Sequence, residues 1–199
     1  DMGDYDVKLL TPVVKYRFGM ESELRAAKEK NKRNKKKDAV QDTYRPLDEL
    51  KNWAEYAGGY QAVFHVRAMP HLRESFWGAV GRGVAANYGI IAAAKLRFKT
   101  DFYRMKLKCG DKEVQPIQPS KIANVVDVRN RFINATDATY EGFYTYPADA
   151  ISSACGTVTL ELFSEKKPNS PTVKVLDPKT VLRITADFEP YRQAHPTPQ

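Results

Sequence analysis

The two cysteines are the first candidates for chemistry, because a thiol can be a nucleophile, a metal ligand or half of a disulfide. Cys109 and Cys155 are 46 residues apart, and neither belongs to a CxxC pair. The chain has only three histidines, so a zinc site of ordinary spacing is not expected. Each cysteine stands at the edge of a strand-like run, which favours a disulfide, although two cytosolic thiols would give the same sequence.

Two other segments superficially resemble catalytic motifs. Gly78-x-x-Gly81-x-Gly83 has the glycines of a phosphate-binding loop but lacks the Lys-Ser/Thr that should follow them. Ser152 and Ser153 lie close to Cys155, but the G-x-S-x-G pattern of a nucleophile elbow is absent. We therefore predict a non-enzymatic protein without a cofactor or metal. An enzyme whose residues are assembled only by the fold stays open as an alternative.

A lysine-rich segment, residues 28–37, carries most of the positive charge. It contributes +6 to a net charge of +8, so the other 189 residues contribute only +2. A solvated helix end or linker is the usual meaning of such a run, and contact with a protein, an anionic surface or a nucleic acid remains open. No aromatic residue lies among these side chains to stack on a base. The interaction candidates are Lys28, Lys30, Lys32, Arg33, Lys35, Lys36 and Lys37.

Tyrosines crowd into residues 140–146 and form a second set of interaction candidates. On a strand, Tyr140, Tyr144 and Tyr146 share one face, whereas Phe143 points to the other. An exposed row of tyrosines would suit a sugar or a protein partner. The alternative is that the same rings line the rim of a sheet core, where aromatic cross-strand pairs are common.

The elements that must position these residues fall into three parts. Residues 1–59 are predicted to be an extension with one or two helices, one starting near Ser22 and one near Pro46. Residues 60–190 are predicted to be the folded domain, and residues 191–199 a flexible, proline-rich tail.

Alternation of apolar and polar residues dominates the middle part and predicts short strands separated by turn residues. We expect an antiparallel, immunoglobulin-like β-sandwich of about seven or eight strands, with the helical extension before it. The main predicted strands are residues 60–68, 95–99, 103–109, 123–128, 138–146, 156–163, 172–176 and 181–186.

Residues 78–94 do not follow this rhythm, since small residues and four glycines dominate them. They are either a long excursion that packs against another surface or a segment whose residues 88–92 add a strand to the sheet. The strand is the commoner use of such a run.

These observations favour an exported structural or interaction protein, acting through protein–protein contacts in a cell envelope or an extracellular assembly. Its partners would be other protein subunits, with self-assembly included, and contact with an anionic surface is also open. The chain begins at Asp1 without a methionine, which suits a processed exported protein or a truncated chain, so a cytoplasmic location stays open. No apolar run reaches the roughly 20 residues of a membrane span. The alternative function is a polyanion-binding module, for nucleic acid or acidic polysaccharide, that uses residues 28–37.

Overall fold

The computed structural model describes residues 2–15, 62–189 and 191. These residues form ten strands, two helices, two short 3-10 turns and one helical turn at residues 12–15. The strands are β1 (Tyr5–Leu10), β2 (Val63–Pro70), β3 (Leu72–Glu74), β4 (Ala94–Phe98), β5 (Phe102–Cys109), β6 (Lys112–Val114), β7 (Gln118–Arg129), β8 (Ile133–Pro147), β9 (Val158–Ser164) and β10 (Lys167–Val175). The helices are α1 (Phe76–Asn87) and α2 (Pro178–Asp187), and the 3-10 turns are Ala148–Ala150 and Ser153–Cys155.

The fold is mainly β, as the alternating sequence predicts, with two sheets rich in antiparallel pairs. The first sheet is built around β8, the longest strand. Strand β7 runs antiparallel to β8 over residues 118–129, along one edge. The other edge of β8 is shared, because β2 pairs with residues 142–147 and β4 pairs in parallel with residues 133–135. Strands β1 and β3 complete the sheet beyond β2 and β4.

The second sheet has the order β10-β9-β5-β6, and every neighbouring pair in it is antiparallel. Its apolar side chains belong to the same buried cluster as those of the first sheet, because alternate residues of each strand share one face. The cluster includes Phe64 and Val66 of β2, Tyr144 and Tyr146 of β8, Met105 and Leu107 of β5, and Leu160 and Leu162 of β9. The two sheets therefore share one hydrophobic core.

One glycine is required by this packing. The buried ring of Phe102 lies directly over Gly142, and a Cβ at Gly142 would overlap that ring. Phe102 also meets Tyr5 and Tyr144 edge to face, with ring centroids 6.5 Å and 5.9 Å away. Glycine is thus the residue that lets β8 approach the ring.

The strand predicted at residues 181–186 is wrong, because this segment is helix α2. Asp177 is its N-cap and accepts a hydrogen bond from the Thr180 backbone N–H at 2.9 Å, and Pro178 occupies the first turn. Val181 and Ile184 are three residues apart and are both buried against the core. The helical spacing and the cap outweigh the β-branched composition of this short stretch.

Residues 78–94 also differ from the prediction of a strand at residues 88–92. Helix α1 occupies most of the segment, residues 88–93 are not in a strand, and β4 begins at Ala94. The ten strands exceed the predicted seven or eight partly because Tyr5–Leu10, within the predicted extension, pairs with β2 as β1. The helices predicted to start near Ser22 and Pro46 lie outside the described residues.

Candidate interaction surface

Helix α1 presents its large apolar side chains to solvent. At about 100° per residue, Phe76, Trp77, Val80, Val84 and the following Tyr88 fall within an arc of about 120° on one side. All five are exposed, Trp77 to 79%. Within the described structure, α1 has no buried residue. We call these five side chains the α1 face.

The side of α1 opposite this face consists of small residues and Arg82. Gly78 and Ala85 lie on that side, and they are the two half-buried positions of the helix. An ordinary surface helix turns its apolar stripe towards the core and its small or polar residues outwards. Helix α1 is built the other way round, so the apolar surface that would stabilise its packing is left exposed.

Local interactions hold α1 in place without using its apolar face. The Ser75 hydroxyl caps the helix by accepting a hydrogen bond from the Gly78 N–H at 3.1 Å. Arg82 donates two hydrogen bonds to Glu74 of β3, at 3.3 Å and 2.8 Å. The hydrogen bonds from Arg82 lower the pKa of the Glu74 carboxyl, which favours its ionised form. Gly89 then ends the helix with a φ of 72°, which favours glycine.

A shallow groove of about 320 Å³ lies beside the helix. Ile90 and Ile91 line it from the chain after α1, and Phe132 lines it from the turn between β7 and β8. These three side chains are exposed as well. The helix lines this groove with Arg82 and Ala86, on the side away from the α1 face. Scattered exposed apolar residues are normal, whereas five large ones on one side of a helix form a contiguous apolar patch.

The charge around α1 is positive. Residues 71–99 contain five basic side chains and one acidic side chain, Glu74, which is already paired with Arg82. The basic residues Arg73, Lys95 and Arg97 of β3 and β4 are exposed. A partner that fits this region would therefore have an apolar centre and an acidic rim.

The two cysteines predicted as a disulfide pair are bonded to each other. Cys109 ends β5, and Cys155 lies in the 3-10 turn that precedes β9, the neighbour of β5 in the second sheet. This bond fastens the end of the second sheet rather than forming a reactive site.

The predicted row of tyrosines is divided by the fold. Tyr144 and Tyr146 are buried in the core, so they are not available as interaction residues, whereas Tyr140 is 51% exposed. Burial is the main reason that the pKa of the Tyr144 hydroxyl is raised. All three side chains lie on the core side of β8, but only Tyr144 and Tyr146 are in the buried cluster. The seven basic candidates between Lys28 and Lys37 lie outside the described residues.

A polar cluster lies on the opposite face of the first sheet. The Lys15 ammonium can only donate, so the hydrogen bond at 3.0 Å makes His65 Nε2 an acceptor. His65 Nδ1 then carries the proton and donates to the Thr145 hydroxyl, also at 3.0 Å. Burial, and then the Lys15 charge, lower the pKa of His65, which keeps the ring neutral near pH 7.

An ion pair continues this polar face towards β7. Arg67 donates two hydrogen bonds to the buried Glu141 carboxylate, at 3.0 Å and 2.9 Å, and Asn124 of β7 adds a longer one of 3.4 Å. The neutral imidazole and the fully paired carboxylate have the character of a structural network. Within residues 2–15 and 62–189, no three or more His, Cys, Asp or Glu side chains are grouped as a metal site.

No protein-family model and no curated protein matches this chain. A solved structure, that of a protein of unknown function from Burkholderia pseudomallei, is similar over 94% of this chain and 81% of its own. The two share 12% sequence identity, and the TM-score is 0.37. A similarity of this size supports no conclusion about function.

Sequence reasoning missed the α1 face although the signal was present. Positions 76, 80, 84 and 88 are spaced by four, which is a helical period, but the glycines between them suggested a loop or a strand. That the stripe faces outwards is not visible in the sequence, because periodicity does not indicate which side of a helix meets the core.

In the described residues, no helix is long and apolar enough to cross a membrane.

Proposed function

We propose that this chain is an exported, non-enzymatic interaction protein, a component of a cell envelope or an extracellular assembly that binds another protein subunit through the α1 face. The observation that carries the proposal is the exposure of five large apolar side chains on one side of a helix with no buried residue among those described. Full burial of one such side chain is worth about 1.5–3 kcal/mol, so a partner would gain substantial binding energy there.

Export is supported by the disulfide between Cys109 and Cys155. Such bonds persist in oxidising compartments and are rare in the cytosol of mesophiles. Non-reducing peptide mapping of protein from its native source tests this part of the proposal. A linked peptide containing Cys109 and Cys155 is expected, and two free thiols would contradict export.

The proposed scaffold is an antiparallel sandwich of the immunoglobulin-like type. The core shared by the two sheets supports a sandwich. The parallel pairing of β4 with β8 departs from a purely antiparallel arrangement. An experimental structure would test the relative angle of the sheets, which is near −30° in aligned sandwiches.

Site-specific photo-crosslinking in the native host tests the interaction. A photoreactive residue replaces Trp77 on the α1 face, and a matched control replaces Leu182, which is exposed on α2. A discrete protein adduct is expected from position 77 alone, and its yield should fall in the Phe76→Ser background. Equal labelling at the two positions, or none at position 77, would remove the support for this surface.

Polyanion binding through residues 28–37 is the second candidate, supported by the net charge of +6 in ten residues. Binding of this kind weakens steeply as salt rises, because released counterions drive it. Deletion of residues 28–37 should abolish it. Binding that survives both high salt and the deletion would eliminate the polyanion candidate.

A further inference from the structure

Strand β7 is a long edge of the first sheet. It pairs with β8 over twelve residues, and no other strand lies along its second edge in the described part of the chain. An unpaired edge of this length offers a row of backbone N–H and C=O groups to an additional strand. Its side chains are largely exposed, and Val125 near its middle is 71% exposed.

The hairpin between β7 and β8 determines which backbone groups point outwards. The Asn130 N–H donates to the Ile133 carbonyl at 2.8 Å, so these two residues form a hydrogen-bonded pair. Such pairs recur at every second residue of an antiparallel ladder. Even-numbered residues of β7 therefore bond to β8, and odd-numbered residues direct their backbone groups to the free edge. Pro119 is odd-numbered, so its missing N–H costs the ladder nothing.

The odd-numbered residues, whose backbone groups face the free edge of β7, are complementary to the same residues of a second copy. If two β7 strands pair antiparallel about a two-fold axis at Asn124, Lys121 lies opposite the partner's Asp127. By the same symmetry, Asp127 lies opposite the partner's Lys121. Ala123 then lies opposite the partner's Val125. Opposite charges directly across a strand pair stabilise it, and this register places two such pairs on one interface. A two-fold interface must be self-complementary in this way.

We propose that this protein dimerises by pairing β7 with β7 of a second copy in this register, which would join the two first sheets into one continuous sheet. Lys121 already contacts Glu165 at 2.7 Å, and Asp127 contacts Arg129 at 3.1 Å. Both of these ion pairs are exposed, and exposed ion pairs contribute little to stability. Replacing them by the Lys121–Asp127 pairs between the two copies therefore costs little free energy. The proposal goes beyond the proposed function and uses a different surface from the α1 face.

The register is tested by disulfide trapping in the full chain. The chain's two native cysteines are bonded to each other, so an added cysteine is the single free thiol. At the proposed axis, the two Asn124 residues form a non-hydrogen-bonded pair with Cα atoms about 4.5 Å apart, within reach of a disulfide. Asn124→Cys should form a covalent dimer on mild oxidation.

Val126→Cys is the matched control. Its two copies would be separated by four residues along the strand, about 13 Å, which is beyond disulfide reach. If Asn124→Cys disturbs folding through the lost contact with Glu141, an equimolar mixture of Ser120→Cys and Val128→Cys replaces it. In the proposed register only the mixed pair should crosslink.

Sedimentation velocity over a concentration series completes the test. The wild type should dimerise reversibly, Lys121→Glu should raise the dissociation constant about tenfold or more, and Lys121→Glu with Asp127→Lys should restore it. The Trp77→Ser variant should dimerise like the wild type. A monomer at every concentration, crosslinking of Asn124→Cys no faster than that of Val126→Cys, or a dimer abolished by Trp77→Ser would overturn the proposal.

Discussion

The core and the α1 face contain the same kinds of side chain in opposite environments. Phe64, Phe102 and Tyr146 are no more than 1% exposed, whereas Phe76, Trp77 and Tyr88 are 73–79% exposed. The core rings are on strands whose alternate residues meet a second sheet. The α1 rings are on a helix whose opposite side, with Gly78, Arg82 and Ala85, lies nearest the domain. Apolar character therefore predicts that a side chain will be buried. Only the tertiary structure shows whether its own chain buries it or leaves it exposed.

The largest expected difference between these regions comes from removing one ring from each. Phe102→Ala should lower the free energy of unfolding by about 4 kcal/mol, because it leaves a cavity between the sheets. Trp77→Ala should change it by less than about 0.5 kcal/mol, because its ring has little to lose in the isolated chain. Urea denaturation of both variants measures the difference. A loss above about 1 kcal/mol for Trp77→Ala would mean that α1 is buried by its own chain.

The same substitution at two glycines should have opposite effects. Gly142→Ala should lower the free energy of unfolding by about 2 kcal/mol, because the added Cβ displaces the Phe102 ring. Gly81→Ala should raise it by about 0.5–1 kcal/mol, because a Cβ there meets no atom within 4 Å and alanine favours the helix. Thermal denaturation of the two variants shows whether each substitution raises or lowers the stability. A stabilising Gly142→Ala would contradict the close approach of β8 to this ring.

Within the core, two tyrosines of β8 should respond differently to loss of the hydroxyl. The Tyr146 hydroxyl is buried without a hydrogen-bond partner among the described residues, so Tyr146→Phe should be neutral or stabilise by about 1 kcal/mol. The Tyr144 hydroxyl has a hydrogen bond with the Met105 backbone, so Tyr144→Phe should destabilise by about 1 kcal/mol. Urea denaturation of the two variants under identical conditions provides the comparison. A larger loss of stability for Tyr146→Phe than for Tyr144→Phe would contradict the prediction that Tyr144 has the hydrogen-bonded hydroxyl.

The smallest expected effect belongs to the polar face of the first sheet. Since the pKa of His65 is lowered in the folded protein, the unfolded chain binds a proton near pH 6.5 before the folded chain does. Stability should therefore be fully present above pH 6.5 and decline as pH falls towards the lower, folded pKa. Urea denaturation at about pH 7.5 and about pH 5 compares the wild type with His65→Gln. The variant should lose less stability between these values, and an equal loss in both would exclude His65 as the cause.

Much of the strand content follows from local patterns, and particular residues show where this stops. The alternation in residues 103–109 and 138–146 correctly predicts β5 and part of β8. The β-branched residues Val181 and Ile184 predict a strand but form a helix, because the Asp177 cap and Pro178 favour a helical start. The glycines of α1 make its helix difficult to predict, because glycine has a low helix propensity. The apolar spacing, in contrast, favours a helix.

The candidate site was predictable only in part. The sequence singles out residues 78–94, and packing against another surface is the less favoured of their two interpretations. Three residues of the α1 face, Val80, Val84 and Tyr88, lie in this segment, whereas Phe76 and Trp77 precede it. The tyrosines of residues 140–146 are a second set of interaction candidates, with a place at the rim of the core as the alternative. Tyr144 and Tyr146 turned out to be buried because β5 and β9 contribute to the same core. No local feature of β8 contains that information.

What the sequence by itself determined is periodicity, turn chemistry and the two cysteines that can bond, since each depends on neighbouring residues or on residue type. The tertiary structure decided that β8 shares one edge between β2 and β4, that Tyr146 faces a second sheet, and that the apolar side of α1 faces solvent. The physical reason is that a period specifies a face, whereas burial of that face depends on pairings between residues far apart in the chain.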